Sequence, residues 1–325
     1  MSISRSFNIH ELASLYGVDA GDFQAVKKPG NYNETYQFER AGELFILRVS
    51  PLGEDTLVLQ RSMEYLNEHF HLGSPVVEPV MSNNQNLVEE IIAHDDSRYC
   101  VTVTRRARGE THDLLARDTL PAGVFLEIGK SLAVLHDHAR VIGSNSYGFN
   151  YWYENENCFN VLNPGEFEDD RIVSRYREYR SRCIEQMDIK YKSGIIHADL
   201  HFSNIVVDPD VGRVTFCDFD DSCIGSFLMD VAMVIFDLNV ILQCSDKDVV
   251  TKDLVRAFID GYNHGGLPDS ISLSAVQDFL KLLELSLFIQ YHDYYSELEK
   301  PDGWLKLFFD GRKERIMAGV PFLVW

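Results

Sequence analysis

Asp199, Asn204 and Asp218 stand at intervals of five and fourteen residues, with His197 two residues ahead of the first. They lie in "HADLHFSN" at 197–204 and "FCDFDD" at 216–221, bordered by the apolar runs "GII" and "IVV". A carboxylate and a carboxamide converging on one point are hard oxygen donors of the kind Mg2+ takes, with phosphate and water completing its shell. "RVTFCDF" can pair with "NIVVD" as a hairpin through the turn "PDVG", which would bring Asn204 and Asp218 together. Asp199, at the loop tip and not needed as a ligand, is free to accept a proton from an attacking hydroxyl.

The elements that must position these groups follow from periodicity. A short amphipathic helix falls within 1–20, around "IHELASLYG". "AVKKPGNYNETYQFERAGELFILRVSP" reads as two strands flanking a turn, Tyr36 and Phe38 alternating in one and Leu44–Val49 forming the other. "DTLVLQRSMEYLNEHFHLG" has a helical period and a glycine stop, and "LVEEII" and "YCVTVTRR" supply two more strands. From residue 121 the pattern is mainly helical, with helices at 121–140, 171–190, 227–242, 248–264 and 272–296 around the strand-and-turn region 194–221. The expected architecture is α+β: a β-rich N-terminal lobe over 1–106 and a mainly helical C-terminal lobe over 107–325, sharing a cleft.

The chain's 325 residues are 45% hydrophobic and 25% charged, the composition of an ordinary soluble globular protein. Its formal charge of −20 argues against a nucleic-acid surface, whose footprint is basic, and is compatible with a cationic small molecule. The apolar stretch "FLMDVAMVIFDLNVIL" is interrupted by Asp230, Asp237 and Asn239 and reads as a buried helix, not a membrane span. The first residues have no apolar signal region, and the six cysteines form no paired or zinc-binding spacing, so a cytoplasmic chain with reduced thiols is expected.

H-x-D-L-x-x-x-N followed by D-F is similar to the catalytic-loop and metal-loop signature of the protein-kinase-like superfamily. The form here, "HADLHFSNIVV" with "CDFDDSCIGSFLMDVA", resembles the aminoglycoside phosphotransferase enzyme family, which also contains choline-kinase-like and homoserine-kinase-like enzymes. The resemblance implies a bilobal protein-kinase-like fold and an ATP- and Mg2+-dependent kinase acting on a hydroxyl of a small molecule. Asp199 would be the catalytic base, Asn204 and Asp218 the metal ligands, His197 a support of the loop backbone and Asp230 its brace. "GNYNETY" matches the family's short phosphate loop, giving Gly30 and Asn33 nucleotide contacts, although a ligand-free hairpin turn would read the same. Arg48 stands where protein kinases place a phosphate-binding Lys. Glu64 is the candidate acid to pair with it, though another register puts Ser62 there. Backbone groups of Arg105, Arg106 and Ala107 would meet the adenine.

The acceptor is less defined. Two aromatic and acidic clusters, "GFNYWYENENCFN" at 148–160 and "LFIQYHDYYSELE" at 287–299, suit an amine-bearing substrate or simply fill a helical core. Asp220, Asp221, Tyr291 and Asp293 are the pocket candidates, and an amino-alcohol, an amino-acid-like compound or an aminoglycoside-type molecule the acceptor classes. His136, His138 and His201 have no metal-site spacing and are expected in structural roles. An inactive nucleotide-sensing pseudokinase and a protein Ser/Thr kinase are the alternatives. The short stretch between Asp218 and Met229 leaves little room for a peptide platform.

Overall fold

The computed structural model describes residues 8–26, 33–51, 56–93, 95–111, 121–144, 147–188, 193–208, 210–242, 248–266, 270–298 and 303–323. Two compact units divide the chain, Met1–Arg108 and Gly109–Trp325.

Among the described residues, the first unit holds a five-stranded antiparallel sheet and two α-helices. Its strands are Gln24–Ala25 (β1), Glu34–Arg40 (β2), Glu43–Pro51 (β3), Val88–Ile92 (β4) and Arg98–Arg105 (β5), in the order β1-β2-β3-β5-β4. Helix α1 (Ile9–Tyr16) starts at Asn8, whose side chain accepts the His10 N–H, and stops at Gly17 in the left-handed conformation. It lays Leu12 and Tyr16 on one face of the sheet, against Phe38 of β2, Leu47 of β3 and Val101 and Val103 of β5. Alternation along β3 buries Phe45, Leu47 and Val49 and turns Arg48 to the opposite face. Helix α2 (Thr56–His71) buries Ser62, Met63, Tyr65 and Leu66.

The second unit holds Glu110–Thr111 (β6) and the helices Ala122–Ile142 (α3) and Asp170–Glu185 (α4), then Ser193–Ile196 (β7), Ile205–Asp208 (β8), Arg213–Phe216 (β9) and Cys223–Ser226 (β10). Phe227–Leu242 (α5), Asp248–His264 (α6), Leu273–Glu297 (α7), Gly303–Phe309 (α8) and Arg312–Met317 (α9) complete it. The strands make two small sheets, β6-β8-β9 and β10-β7. Helix α4 is shorter than the sequence pattern predicts: it ends at Glu185 and tightens into a 3-10 turn over Gln186–Asp188.

Helices α3 and α6 touch backbone to backbone. A Cβ on Gly129 would lie 2.1 Å from the Phe258 carbonyl oxygen, and one on Gly261 would lie 2.0 Å from that of Leu126. No side chain fits at either point, and the contact sets where the neighbouring Tyr262 lies. Gly261→Ala is expected to cost about 1–3 kcal/mol of stability through overpacking, read as a lower urea midpoint with unchanged m. An unchanged midpoint would show that the helices can part without loss.

Arginines of α4 are internal anchors. Arg175 donates to the Ile316 and Met317 carbonyls, Arg180 to the Asn160 side chain and the Tyr153 carbonyl, and Arg182 pairs with Asp278 at 2.7 Å. On α7, Glu284 is buried between Lys281 and Arg312, and Lys281 also donates to the Val320 carbonyl, which ties the C-terminal residues to this helix. Among the described residues no helix is long and apolar enough to cross a membrane.

Candidate active site

The loop 197–204 is held between the two small sheets of the second unit. On one side, β7 pairs antiparallel with β10, placing Ile196 opposite Cys223. On the other, β8 pairs with β9 in the predicted hairpin, Ile205 opposite Phe216. Continuing that register by one residue sets Asn204 against Cys217, whose N–H donates to the Asn204 carbonyl at 3.0 Å. Asp218 is the next residue, in the left-handed region at φ 68°. Ala198 shares that conformation at φ 66°. Two non-glycine residues held there, beside the candidate acid and the candidate ligands, mark a loop whose shape is imposed by its surroundings.

Those surroundings can be named. Asp230, fully buried in the first turn of α5, accepts the His197 N–H through Oδ2 and the Ala198 N–H through Oδ1, both at 2.9 Å. Its Oδ2 also accepts from His136 Nε2 at 3.1 Å, and His136 Nδ1 lies 2.7 Å from the Tyr262 hydroxyl. Burial alone would raise the Asp230 pKa, but the hydrogen bond and charge of His136, with His197, hold it below the usual carboxylate range. Burial and the Asp230 charge push the Tyr262 phenol well above its ordinary value. His136 therefore does structural work, as its spacing suggested, but on the loop itself.

His197 is buried and links the two halves of the site. Nε2 must donate to the Cys217 carbonyl at 2.9 Å, so Nδ1 is the atom that accepts the Asp199 N–H at 3.3 Å. The ring packs on Phe219, centroids 4.5 Å apart.

Asp199 remains one-third exposed. Asn204 Nδ2 donates to its backbone oxygen at 2.9 Å and to Oδ2 at 3.2 Å. The amide nitrogen is thereby committed inward, which leaves the Asn204 oxygen as the atom offered to a cation. An amide oxygen and the Asp218 carboxylate are hard donors that fit Mg2+, with too few protein ligands to enclose it. Among the described residues no group of three or more His, Cys, Asp and Glu side chains forms a metal cage, so phosphate and water would have to supply the rest. His201 Nε2 lies 3.4 Å from Asp199 Oδ2. Burial lowers the His201 pKa, yet Asp199, with Asp237 and Asp218, raises it by more.

The aromatic and acidic cluster at 148–160 lies against this loop. Trp152 N–H donates to the Ile224 carbonyl and Ile224 N–H to that of Asn150, so 150–152 runs beside β10. Trp152 and Phe159 are buried as core, while Tyr151 is exposed. The Cys158 thiol donates to the Ala198 carbonyl at 3.0 Å. On α7, Tyr291 packs edge-on to Trp304, and its pKa is raised by burial and then by the charges of Asp199, Cys158 and Asp221. Asp220 is half-buried and Asp221 exposed. Asp293 projects into solvent, its side chain 94% exposed, 3.2 Å from His292.

In the first unit, Arg48 meets Asn33. With its amide oriented to satisfy both atoms, Asn33 accepts from Arg48 Nε at 2.9 Å and Nη2 at 2.6 Å and donates to the Ser50 hydroxyl. Glu64 sits on the exposed face of α2 and accepts from Gln60 at 2.7 Å, while Ser62 is buried. The N–H groups of Arg105 and Arg106 are already bonded to the Glu78 and Leu44 carbonyls. Gly30 lies outside the described residues.

Two contributors were not anticipated: Tyr262, brought to His136 from 126 residues away, and Asp237, whose Oδ2 accepts the Phe202 N–H at 2.8 Å. Tyr262 has no sequence signal. Asp237 had one, a second acid seven residues after Asp230 in an apolar helix.

Residues 27–274 match the family model described as phosphotransferase enzyme family. An amicoumacin kinase of Bacillus subtilis (strain 168) is 22% identical over 292 residues, spanning 88% of this chain and 84% of that protein. Among solved structures, an amicoumacin kinase in complex with AMP-PNP, Ca2+ and Ami aligns with a TM-score of 0.80 at 19% identity, covering 96% of this chain and 93% of that one. A microcompartment-associated aminopropanol kinase aligns at 0.70 with 19% identity, covering 95% and 97%. At these identities the structural likeness speaks for the fold.

Proposed function

The chain belongs to the phosphotransferase enzyme family, and from that premise we propose that it transfers the terminal phosphoryl group of ATP to a hydroxyl of an amine-bearing small molecule. The observation that carries this reading is the orientation of Asn204: its nitrogen donates to Asp199, which leaves its oxygen to act as a cation donor together with the Asp218 carboxylate. These two would hold Mg2+, which when bound neutralises charge on the phosphate oxygens. Asp199 orients the acceptor hydroxyl and takes its proton as the oxygen–phosphorus bond forms and the bond to the ADP oxygen breaks. His197 and Asp230 keep that carboxylate in place.

In the first unit, Arg48 is assigned to the nucleotide phosphates, with Asn33 aligning its guanidinium. The adenine falls to Ala107 and neighbouring carbonyls, since the amides of Arg105 and Arg106 are already bonded. Gly30 is assigned to the phosphates as well, and Glu64 is kept as the candidate acid for Arg48, although here it is exposed and accepts from Gln60. For the acceptor, Asp221 and Tyr291 share the electrostatic surroundings of Asp199. An ammonium group suits acidic and aromatic neighbours of this kind. The similarity to proteins named aminopropanol kinase and amicoumacin kinase points the same way.

The test is ADP release from ATP and Mg2+ across a panel of amino-alcohols, hydroxylated amino acids, aminoglycosides and amicoumacin-type compounds, each beside its deoxy analogue. Stimulation by one amine-bearing alcohol, absent with its deoxy form, is the expected result. Equal response to an amine-free alcohol removes the assignment of the acceptor class, and no nucleotide binding with Mg2+ present removes the whole reading.

A further inference from the structure

Helix α5 carries two carboxylates in the otherwise apolar stretch 227–238, Asp230 and Asp237. Seven residues are nearly two helical turns, so both project from one face, about 10 Å apart along the axis. Asp230 takes the two N–H groups at the start of the candidate catalytic loop. Asp237 takes one near its end, the Phe202 N–H at 2.8 Å. Phe202 opens the single 3-10 turn that closes on Asn204. The first N–H groups of such a turn have no acceptor inside it, and Asp237 supplies one.

The N–H groups between these anchors mostly find local acceptors. His201 donates to the Asp199 carbonyl at 3.0 Å, Ser203 to His201 Nδ1 at 3.2 Å and Asn204 to the His201 carbonyl at 2.9 Å. These bonds set the internal shape of the segment from Asp199 to Asn204, while α5 anchors it at both ends. Asp230 determines where Asp199 starts, and Asp237 where the turn bearing Asn204 arrives.

A packing role would be filled better by a residue like Val234 or Leu238 of the same helix. The carboxylate is instead retained where burial raises its pKa, despite the lowering effects of the Phe202 N–H and of His201. Burying a polar group there is costly unless it is hydrogen-bonded, and this one holds the Phe202 N–H.

We propose that Asp237 is a positioning residue for phosphoryl transfer, setting the spacing between Asn204 and Asp199 through the Phe202 N–H. The proposal rests on the phosphotransferase reading of Asp199 and Asn204.

The experiment compares the full-length Asp237→Leu and Asp237→Asn chains with wild type, using Mg2+-ATP hydrolysis as the turnover probe and amide hydrogen exchange across 199–204. In Asp237→Leu, kcat is expected to fall about 30-fold, the effect of a lost charge-assisted hydrogen bond, with the KM for ATP within about twofold. Exchange at Phe202 rises in the same variant. In Asp237→Asn the side-chain oxygen still accepts, and kcat returns to within about threefold of wild type. Should the leucine variant not fold, Asp237→Ser withdraws the acceptor with a smaller change. An unchanged kcat in the leucine or serine variant overturns the proposal, as does an asparagine variant no better than leucine. If wild type shows no Asp199-dependent turnover, the phosphotransferase reading falls by itself. Exchange at Phe202 then still decides the anchor: unchanged protection overturns it, and faster exchange supports it.

Discussion

Asp199→Asn is expected to lower kcat by about three orders of magnitude while leaving the KM for ATP within a few-fold, the scale of a lost general base. The substitution removes the only property the proposed chemistry needs, the capacity to take a proton, and keeps nearly everything else. An asparagine oxygen can still accept from Asn204 Nδ2, as Asp199 Oδ2 does at 3.2 Å. The backbone bonds at this position, from its N–H to His197 and from Asn204 and His201 to its carbonyl, do not involve the side chain. Loop geometry and the Asn204–Asp218 donor pair should therefore persist. Steady-state kinetics with the best acceptor, together with nucleotide binding measured directly, checks this. A variant retaining more than about a tenth of wild-type kcat would mean that positioning and charge neutralisation carry the reaction without a base.

The second large effect is on stability. Asp230→Ala strands three donors in the interior, the N–H groups of His197 and Ala198 and Nε2 of His136, and is expected to cost about 3–5 kcal/mol. Urea unfolding followed through the second unit measures it, and a loss below about 1 kcal/mol would show that water or a loop shift replaces the carboxylate. The same group predicts a pH dependence. Its folded pKa lies below the ordinary value because His136 and His197 outweigh the burial that would raise it. Such a group contributes stability that is fully present above the unfolded value of about 3.9 and is lost as pH falls through the folded value. The stability gap between wild type and Asp230→Asn should hold steady from neutral pH to about 5 and narrow in more acid solution. A gap that widens on acidification contradicts the assignment.

The parts of this architecture that were legible in the sequence are those governed by short-range pattern. Apolar periodicity located α2, α3, α5, α6 and α7, and alternation located β2, β3 and the β8–β9 hairpin, because side-chain facing repeats within a few residues. The approach of Asn204 to the end of β9 was readable for the same reason; the structure sets Asn204 against Cys217, with Asp218 the next residue. Strand β10 was not, since "CIGS" has neither alternation nor a β-branched run, and its partner β7 lies 27 or more residues back in the chain at every pair. Nor could spacing reveal that His136 would meet Asp230 from 94 residues away. The partner on the other side of His136, Tyr262, sits where α3 and α6 meet through Gly129 and Gly261, and glycines inside a helical pattern usually read as weak points. Arg48 is a mixed case: its position on β3 was readable from the strand, but Asn33 as its neighbour was not.

The β8–β9 hairpin has a further consequence when the chain is considered as it leaves the ribosome. Its pairings join residues at most 11 apart, Ile205 to Phe216, whereas Asp230 reaches back 33 residues to His197 and His136 reaches Tyr262 across 126. Contacts of short separation close early, and those across long loops close late. A nascent chain that has emerged only as far as Asp218 can already bring its two oxygen donors together. Asp199, the proposed base, stays unanchored until α5 and α6 have been synthesised and have docked. A translation pause between these points would expose a half-built centre, its proposed cation donors together before its proposed base is in place.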